Sequence, residues 1–222
     1  GKGNVLLPGN IGQTTALAGL NVTASTTNLA GNVTTNQAEI IINSALGLIN
    51  DTKLSTSGGN IAFGGAIDNN NVNARNLTLD SGSGSITFNG SVGANSKLGN
   101  ILIQNSGNVT GNSTINAQQL TAANTQQVKL SGDVTAGKVD LTAKGDITVK
   151  NITNNGGEIL FNSGNVFTAG NLNTSGNTGG NITVKAITSI TTGQINSSGI
   201  VGNAGNVFLD PIGDIQVEFI NA

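Results

Sequence analysis

The acidic residues are the side chains of this sequence that could do acid–base chemistry, and their spacing decides whether they meet. There are eleven, scattered from Glu39 to Glu218. Hydrolysis or elimination at a sugar needs carboxylates that converge on one face. The nearest pair in the most regular stretch is Asp140 with Asp146, but we expect Asp140 in the middle of a strand, facing outward, and Asp146 at the following corner. The pattern therefore favours a solvated surface.

Nucleophilic catalysis has even less support in the sequence. The chain contains no His and no Cys. Ser and Thr are numerous, but a hydroxyl needs a base that activates it, and no Ser-x-x-Lys run occurs. We predict a protein without catalytic residues and not an enzyme.

A calcium site is the remaining chemical candidate. Asp68, Asn69, Asn70 and Asn71 form an oxygen-rich run. Calcium prefers oxygen ligands, but neither the spacing of an EF-hand loop nor the glycine-rich nonapeptide of calcium-binding β-rolls is present. We expect a plain solvated loop here, and neither a metal nor a cofactor is predicted.

Composition excludes several other functions. The formal net charge of the 222 residues is −2, and the nine basic residues stand singly, so no nucleic-acid surface is predicted. No apolar run reaches eighteen residues, so no helix that spans a membrane is predicted. Repeats run from end to end without a change in composition, and we interpret residues 1–222 as a single domain, a segment of a longer protein.

The repeats are the elements that must position any site. Short apolar-x-apolar segments recur at about twenty-residue intervals in three parallel series, which predicts three short strands in each repeat. The first series is Leu77, Ile101, Leu120, Val139, Ile159, Ile182 and Val207. The second is Ile86, Val109, Val128, Ile147, Val166, Ile190 and Ile215, and the third is Val92, Ile115, Val134, Ile152, Leu172, Ile195 and, less regularly, Phe219.

Before Leu77 the pattern is weaker but continues. Here Val5, Leu20, Ile40 and Ile61 are predicted to open repeats, with Leu29, Leu48 and Ile67 as second strands and Val33, Leu54 and Val72 as third strands. Repeats that stack on their neighbours form a solenoid. The sequence therefore predicts an all-β protein, a three-faced parallel β-helix of about eleven turns of roughly twenty residues each.

Turn residues mark the corners of this solenoid. Gly-Asn and Gly-Asp pairs precede many strands, and both residue types tolerate positive φ angles. At one corner the register would stack four polar side chains, which could form a ladder along the axis or could each bond within their own turn: Asn108, Gln127, Asp146 and Asn165.

The outward positions of the first series suggest a contact surface. Leu102, Leu160 and Phe208 are apolar middle residues of their strands, so they are expected to point away from the core. Exposed apolar side chains along a rod could mediate lateral packing into fibres, although cover by a neighbouring loop is the favoured interpretation.

Three segments resemble a known family. Residues 58–68 (GGNIAFGGAID), 84–92 (GSITFNGSV) and 117–122 (AQQLTA) are similar to the repeats of filamentous haemagglutinin-like exoproteins of bacteria. The resemblance implies a right-handed parallel β-helix that is exported to the cell surface. The Asn-Pro-Asn-Gly type motif of the family's secretion domain is absent, since the prolines are Pro8 and Pro211, so the chain resembles an interior, shaft segment.

Two functions follow as hypotheses. The first is a non-enzymatic, extracellular structural or adhesive rod on a bacterial cell surface, mediating attachment or cell–cell contact. Its partners would be other copies, flanking repeats of the same chain, or surface glycans. The alternative is a β-helix that binds or cleaves a polysaccharide along one face. Clustered acids with calcium, or released reducing sugar, would favour the alternative.

Overall fold

All regular structure in the described part of the chain is β-strand. The computed structural model describes residues 3–70 and 73–222. Within these ranges there are 23 strands, no helix, and only parallel pairing between strands. The predicted parallel β-helix is therefore confirmed.

The strands follow one another in chain order. The first eleven are β1 (Asn4–Leu7), β2 (Leu20–Val22), β3 (Thr26–Leu29), β4 (Val33–Thr34), β5 (Ile40–Ile42), β6 (Ala45–Leu48), β7 (Thr52–Ser55), β8 (Ile61–Phe63), β9 (Ile67–Asn69), β10 (Leu77–Asp80) and β11 (Ile86–Phe88). The others are β12 (Leu98–Gly111), β13 (Ile115–Leu130), β14 (Val134–Ala143), β15 (Ile147–Val149), β16 (Ile152–Thr153), β17 (Ile159–Ser163), β18 (Val166–Ala169), β19 (Leu172–Asn173), β20 (Ile182–Ala186), β21 (Ser189–Asn196), β22 (Val207–Pro211) and β23 (Ile215–Asn221).

Pairing between successive turns defines three faces. Face 1 contains β4, β7, β10, β17, β20 and β22, face 2 contains β2, β5, β8, β11, β15 and β18, and face 3 contains β1, β3, β6, β9, β16 and β19. The longer strands β12, β13, β14, β21 and β23 bend around a corner and contribute to two or three faces. Faces 1 and 2 are thus continuous parallel sheets along the axis, whereas on face 3 isolated bridges at Val92 join the sheet of β1, β3, β6 and β9 to β13.

The core is a set of apolar columns inside the faces. On face 1, Ile101 pairs with Leu120, Leu120 with Val139, and Val139 with Ile159, so these residues lie above one another as predicted. Inward side chains of this column are no more than 2% exposed. Outward and inward residues alternate, because successive side chains of a strand point to opposite sides.

Two predicted positions in the series are wrong by one residue. Phe167, not Val166, pairs with Ile147 and Ile190 on face 2. The Phe167 ring is fully buried. Val166 lies at the preceding corner, where its backbone N–H donates to Asp146 Oδ1. At the last turn Ile220, not Phe219, continues face 3, and Phe219 points outward.

Apart from Val5, the early repeats are grouped correctly but are assigned to the wrong faces. Leu20, Ile40 and Ile61 lie on face 2, whereas the downstream openers lie on face 1. Less than one full turn therefore separates Ile61 from Leu77, and the solenoid has about ten turns where the sequence predicts eleven. Val5 lies on face 3, and Val72 lies outside the described residues.

The corner glycines have a different cause from the predicted one. Gly157, Gly180 and Gly205 precede face 1 strands, and none of them has a positive φ angle. Instead, a Cβ on Gly180 would overlap the carbonyl oxygen of Gly157, and one on Gly157 would overlap that of Gly137. Glycine is required here because successive turns approach closely, backbone to backbone.

Buried hydroxyl groups stabilise the corner between faces 1 and 2. The Ser81 Oγ donates to the Gly84 carbonyl oxygen at 2.7 Å, and the Ser163 Oγ donates to that of Val166 at 2.8 Å. Thr56 makes the same bond to Gly59 three residues later. Ser106 occupies an equivalent buried position, but its Oγ has no partner.

Ser81 and Ser106 provide a matched test of the corner hydrogen bond. We expect Ser81→Ala to lower the free energy of unfolding by about 1 kcal/mol, because a buried hydrogen bond is lost. Ser106→Ala should leave stability unchanged or raise it, since a buried hydroxyl without a partner opposes folding. Urea unfolding followed by circular dichroism measures both. Equal losses from the two variants would contradict the assigned role of the Ser81 bond.

Candidate functional site

The candidate acids do not converge. Asp140 lies on the outward row of face 1, between Thr121 and Leu160, as predicted. Asp146 lies at the next corner, where its Oδ1 accepts hydrogen bonds from Asn165 Nδ2 at 2.8 Å and Val166 N at 3.2 Å. Within residues 3–70 and 73–222, no three His, Cys, Asp or Glu side chains are grouped to hold a metal ion.

The oxygen-rich run near Asp68 contacts the next turn. The Asp68 Oδ1 accepts from the backbone N–H of Asn95 at 2.9 Å and of Ser96 at 3.1 Å, and its Oδ2 accepts from Asn95 Nδ2 at 3.0 Å. Asp68 and Asn69 thus belong to strand β9 and not to a solvated loop as the sequence predicts, and the Asp68 carboxylate bonds to the loop of the next turn. Asn71 lies outside the described residues.

The predicted polar ladder is formed in one of its steps. Asn108 and Gln127 lie side by side in register, but no hydrogen bond joins their side chains. Asn165 donates to Asp146, and its own Oδ1 accepts from the Thr188 Oγ1 at 2.6 Å.

A longer ladder lies at the corner between faces 2 and 3. Asn151 Nδ2 donates to Asp133 Oδ1, Asn171 N donates to Asn151 Oδ1, and Gln194 N donates to Asn171 Oδ1, each at 2.9 Å. The sequence contains a signal for it that the repeat analysis misses. Each of these four polar residues stands directly before a third-series apolar residue.

A second polar row lies beside this ladder. It consists of the outward residues of face 3, and each directly follows the same apolar residue: Thr135, Thr153, Asn173 and Asn196. The two rows line a groove of about 450 Å³ that runs along the solenoid axis. We call it the face 3 groove. Ile152 and Leu172, whose side chains are buried in the core, also line it.

One charged pair includes Asp133 of the groove. Lys150 Nζ lies 3.3 Å from Asp133 Oδ1, and both side chains are about half exposed. Elsewhere, Lys138 Nζ lies 3.0 Å from Glu158 Oε2. That hydrogen bond, together with the negative charges of Glu158 and Asp140, raises the pKa of Lys138.

The candidate contact residues share one row on face 1. Leu102 lies between Thr78 and Thr121, Leu160 lies between Asp140 and Thr183, and Phe208 follows Thr183. Polar residues therefore separate the three apolar ones. Leu102 and Leu160 are partly buried, and Phe208 is 51% exposed with Lys185 Nζ 6.0 Å from its ring centre.

Exposed apolar side chains concentrate on the last turn. They are Ile200, Val201, Phe208, Ile212, Ile215, Phe219 and Ile220. Strands β22 and β23 pair with β20 and β21 on one side, and their other edges are unpaired in the described chain. This end presents apolar surface and free backbone groups together.

Comparison with known proteins gives no relative. No family model matches the chain, nor does any curated protein or solved structure. The described residues form no helix that is long and apolar enough to cross a membrane.

Proposed function

We propose that this chain is a non-enzymatic, extracellular rod segment of a bacterial surface protein or fibre that mediates attachment or cell–cell contact. The observation behind the proposal is the unbroken stack of parallel strands from β1 to β23. Such a stack is a stiff, quasi-linear scaffold that presents repeated surface chemistry along its length.

The distribution of charge supports this function. Carboxylates such as Asp133, Asp146 and Asp68 are hydrogen-bonded to the next turn, where they help hold the stack together. The outward residues are mainly Thr on face 2 and uncharged Asn and Thr on the later turns of face 3, whereas the face 1 row is mixed. The resemblance to filamentous haemagglutinin-like repeats supports a location on the bacterial cell surface.

Assays of cell adhesion and of polysaccharide cleavage together test the proposed function. Beads coated with the purified chain should adhere to bacterial or host cells, and incubation with polysaccharides should release no reducing ends. An antibody against the chain should label intact cells of the organism that encodes it. Release of reducing ends would overturn the proposal in favour of a polysaccharide-cleaving β-helix, and labelling only after permeabilisation would overturn the extracellular location.

Lateral contact through the face 1 row is a separate part of the proposal. We expect Leu160→Asp to weaken self-association at least about tenfold, because a buried Leu contributes about 1.5–3 kcal/mol at an interface. Thr168→Asp is the matched control, since Thr168 is an outward residue of face 2. Sedimentation velocity measures both, and equal assembly of the two variants would exclude this row as the contact.

The same proposal accounts for the exposed apolar side chains of the last turn. Unpaired strand edges are templates for pairing with another chain. Flanking repeats or another copy would cover β22 and β23 and continue the rod.

A further inference from the structure

The amides of the face 3 groove have a fixed orientation. A backbone N–H can only donate, so the side-chain atom that faces it must be the amide oxygen. Asn171 Oδ1 faces Gln194 N, Asn173 Oδ1 faces Ser175 N at 3.0 Å, and Asn196 Oδ1 faces Ser198 N at 3.1 Å. The NH₂ groups of these residues must therefore point elsewhere.

The groove consequently offers amide donors that the protein itself leaves unpaired. Among the described residues, no partner binds the NH₂ groups of Asn171, Asn173 and Asn196, and all three side chains line the groove. The Thr153 hydroxyl lies on the same row. The nearest acceptor of full charge, Asp133, is occupied by Asn151 and Lys150.

A carboxylate is the ligand group that suits such a surface. It accepts hydrogen bonds and donates none, and its bonds to N–H donors are about twice as strong as neutral ones. A neutral polyol would accept from the same donors only through weaker, uncharged hydrogen bonds.

The shape of the groove indicates an extended polymer. Thr153, Asn173 and Asn196 follow one another once per turn, at the spacing of about 4.8 Å between neighbouring strands, and Asn171 lies on the same turn as Asn173. A peptide would need a free strand edge or an apolar pocket. Face 3 offers no free edge here, because β16 pairs with β14 on one side and with β19 on the other.

We propose that the face 3 groove binds a carboxylate-bearing polysaccharide, a uronate polymer, that lies along the solenoid axis. Asn171, Asn173 and Asn196 donate to its carboxylates, and Thr153 binds beside them. This inference rests on the proposed function in one respect, because an extracellular rod meets such polymers.

Calorimetric titration with an oligogalacturonate, and with a neutral oligoglucan of equal length, tests the proposal on the whole chain. Asn171→Asp keeps the oxygen that accepts from Gln194 N and exchanges the NH₂ donor for a second carboxylate oxygen. The solenoid accommodates Asp in this role, since Asp51 Oδ1 accepts from Asn76 N at 3.0 Å. We expect the variant to bind the oligogalacturonate at least about tenfold more weakly.

Two further variants separate the groove from the overall charge. Asn181→Asp adds the same charge at another corner, where Asn181 Oδ1 accepts from Asn206 N at 2.9 Å, and should leave affinity nearly unchanged. Asp133→Asn keeps an oxygen that accepts from Asn151 Nδ2 and removes the negative charge that pairs with Lys150. This variant should bind the oligogalacturonate about twofold to fivefold more tightly.

Several results would overturn the groove assignment. They are no binding of the oligogalacturonate, equal binding of the neutral oligoglucan, full affinity in Asn171→Asp, or an equal loss in Asn181→Asp. Antibody labelling of intact cells does not depend on the groove. If the groove does not bind the oligogalacturonate but the antibody still labels intact cells, only this inference is rejected. Labelling only after permeabilisation rejects the proposed function instead.

Discussion

Phe161→Ala is expected to lower the free energy of unfolding by about 3–5 kcal/mol, because truncating a buried aromatic ring removes apolar contact and leaves a cavity. Phe161 is fully buried in the face 1 column, where it pairs with Leu141 and Val184. Its ring also stacks on Phe167 of face 2, with 4.8 Å between ring centres. Urea unfolding followed by circular dichroism measures the loss.

Phe219→Ala is the matched control for this change. The Phe219 side chain is 59% exposed, so its removal should change stability by no more than about 0.5 kcal/mol. Because each turn of a solenoid contacts only its neighbours, the Phe161 cavity should weaken the middle of the stack most. Hydrogen exchange should rise first in β14, β17 and β20. A loss in Phe161→Ala no greater than in Phe219→Ala would contradict this assignment of the core.

The core of the fold can be predicted because its signal is repeated. The period-two alternation of Val, Ile and Leu recurs in three series, so the register of Ile101, Leu120 and Val139 follows from spacing alone. A solenoid, however, has no intrinsic first face. Nothing local distinguishes Ile61 on face 2 from Leu77 on face 1, and the early repeats are therefore assigned to the wrong faces.

The polar features are less predictable because they depend on contacts between turns. An Asn at a corner can bond within its turn or to the turn beside it, and the sequence does not distinguish these two geometries. Asn165 bonds to Asp146, yet Asn108 and Gln127 in the same row do not bond each other. The donors of the face 3 groove depend on which atom of each side-chain amide faces a backbone N–H. Only the register of the folded chain determines this orientation.

The reason for glycine at the corners also depends on contacts between turns. The sequence suggests that glycine supplies positive φ angles, which is true of Gly156, with a φ of 76°. At the adjacent Gly157 the constraint is steric. A Cβ there would overlap the Gly137 carbonyl oxygen and would lie 2.8 Å from its carbon and 3.2 Å from Asn154 Nδ2.

Gly157→Ala is therefore expected to lower the free energy of unfolding by about 3 kcal/mol, as an atom forced into a packed contact does. The loss should be large for a single methyl group because the obstructing atoms belong to backbone and cannot rotate away. Gly9→Ala is the control, since a Cβ on Gly9 meets nothing within 4 Å. That change should be neutral or slightly stabilising, because Ala restricts the unfolded chain. Thermal and urea unfolding of both variants measure the difference. If Gly157→Ala unfolds at the same urea concentration as Gly9→Ala, the turns can separate at this corner, and close backbone approach is not why glycine recurs there.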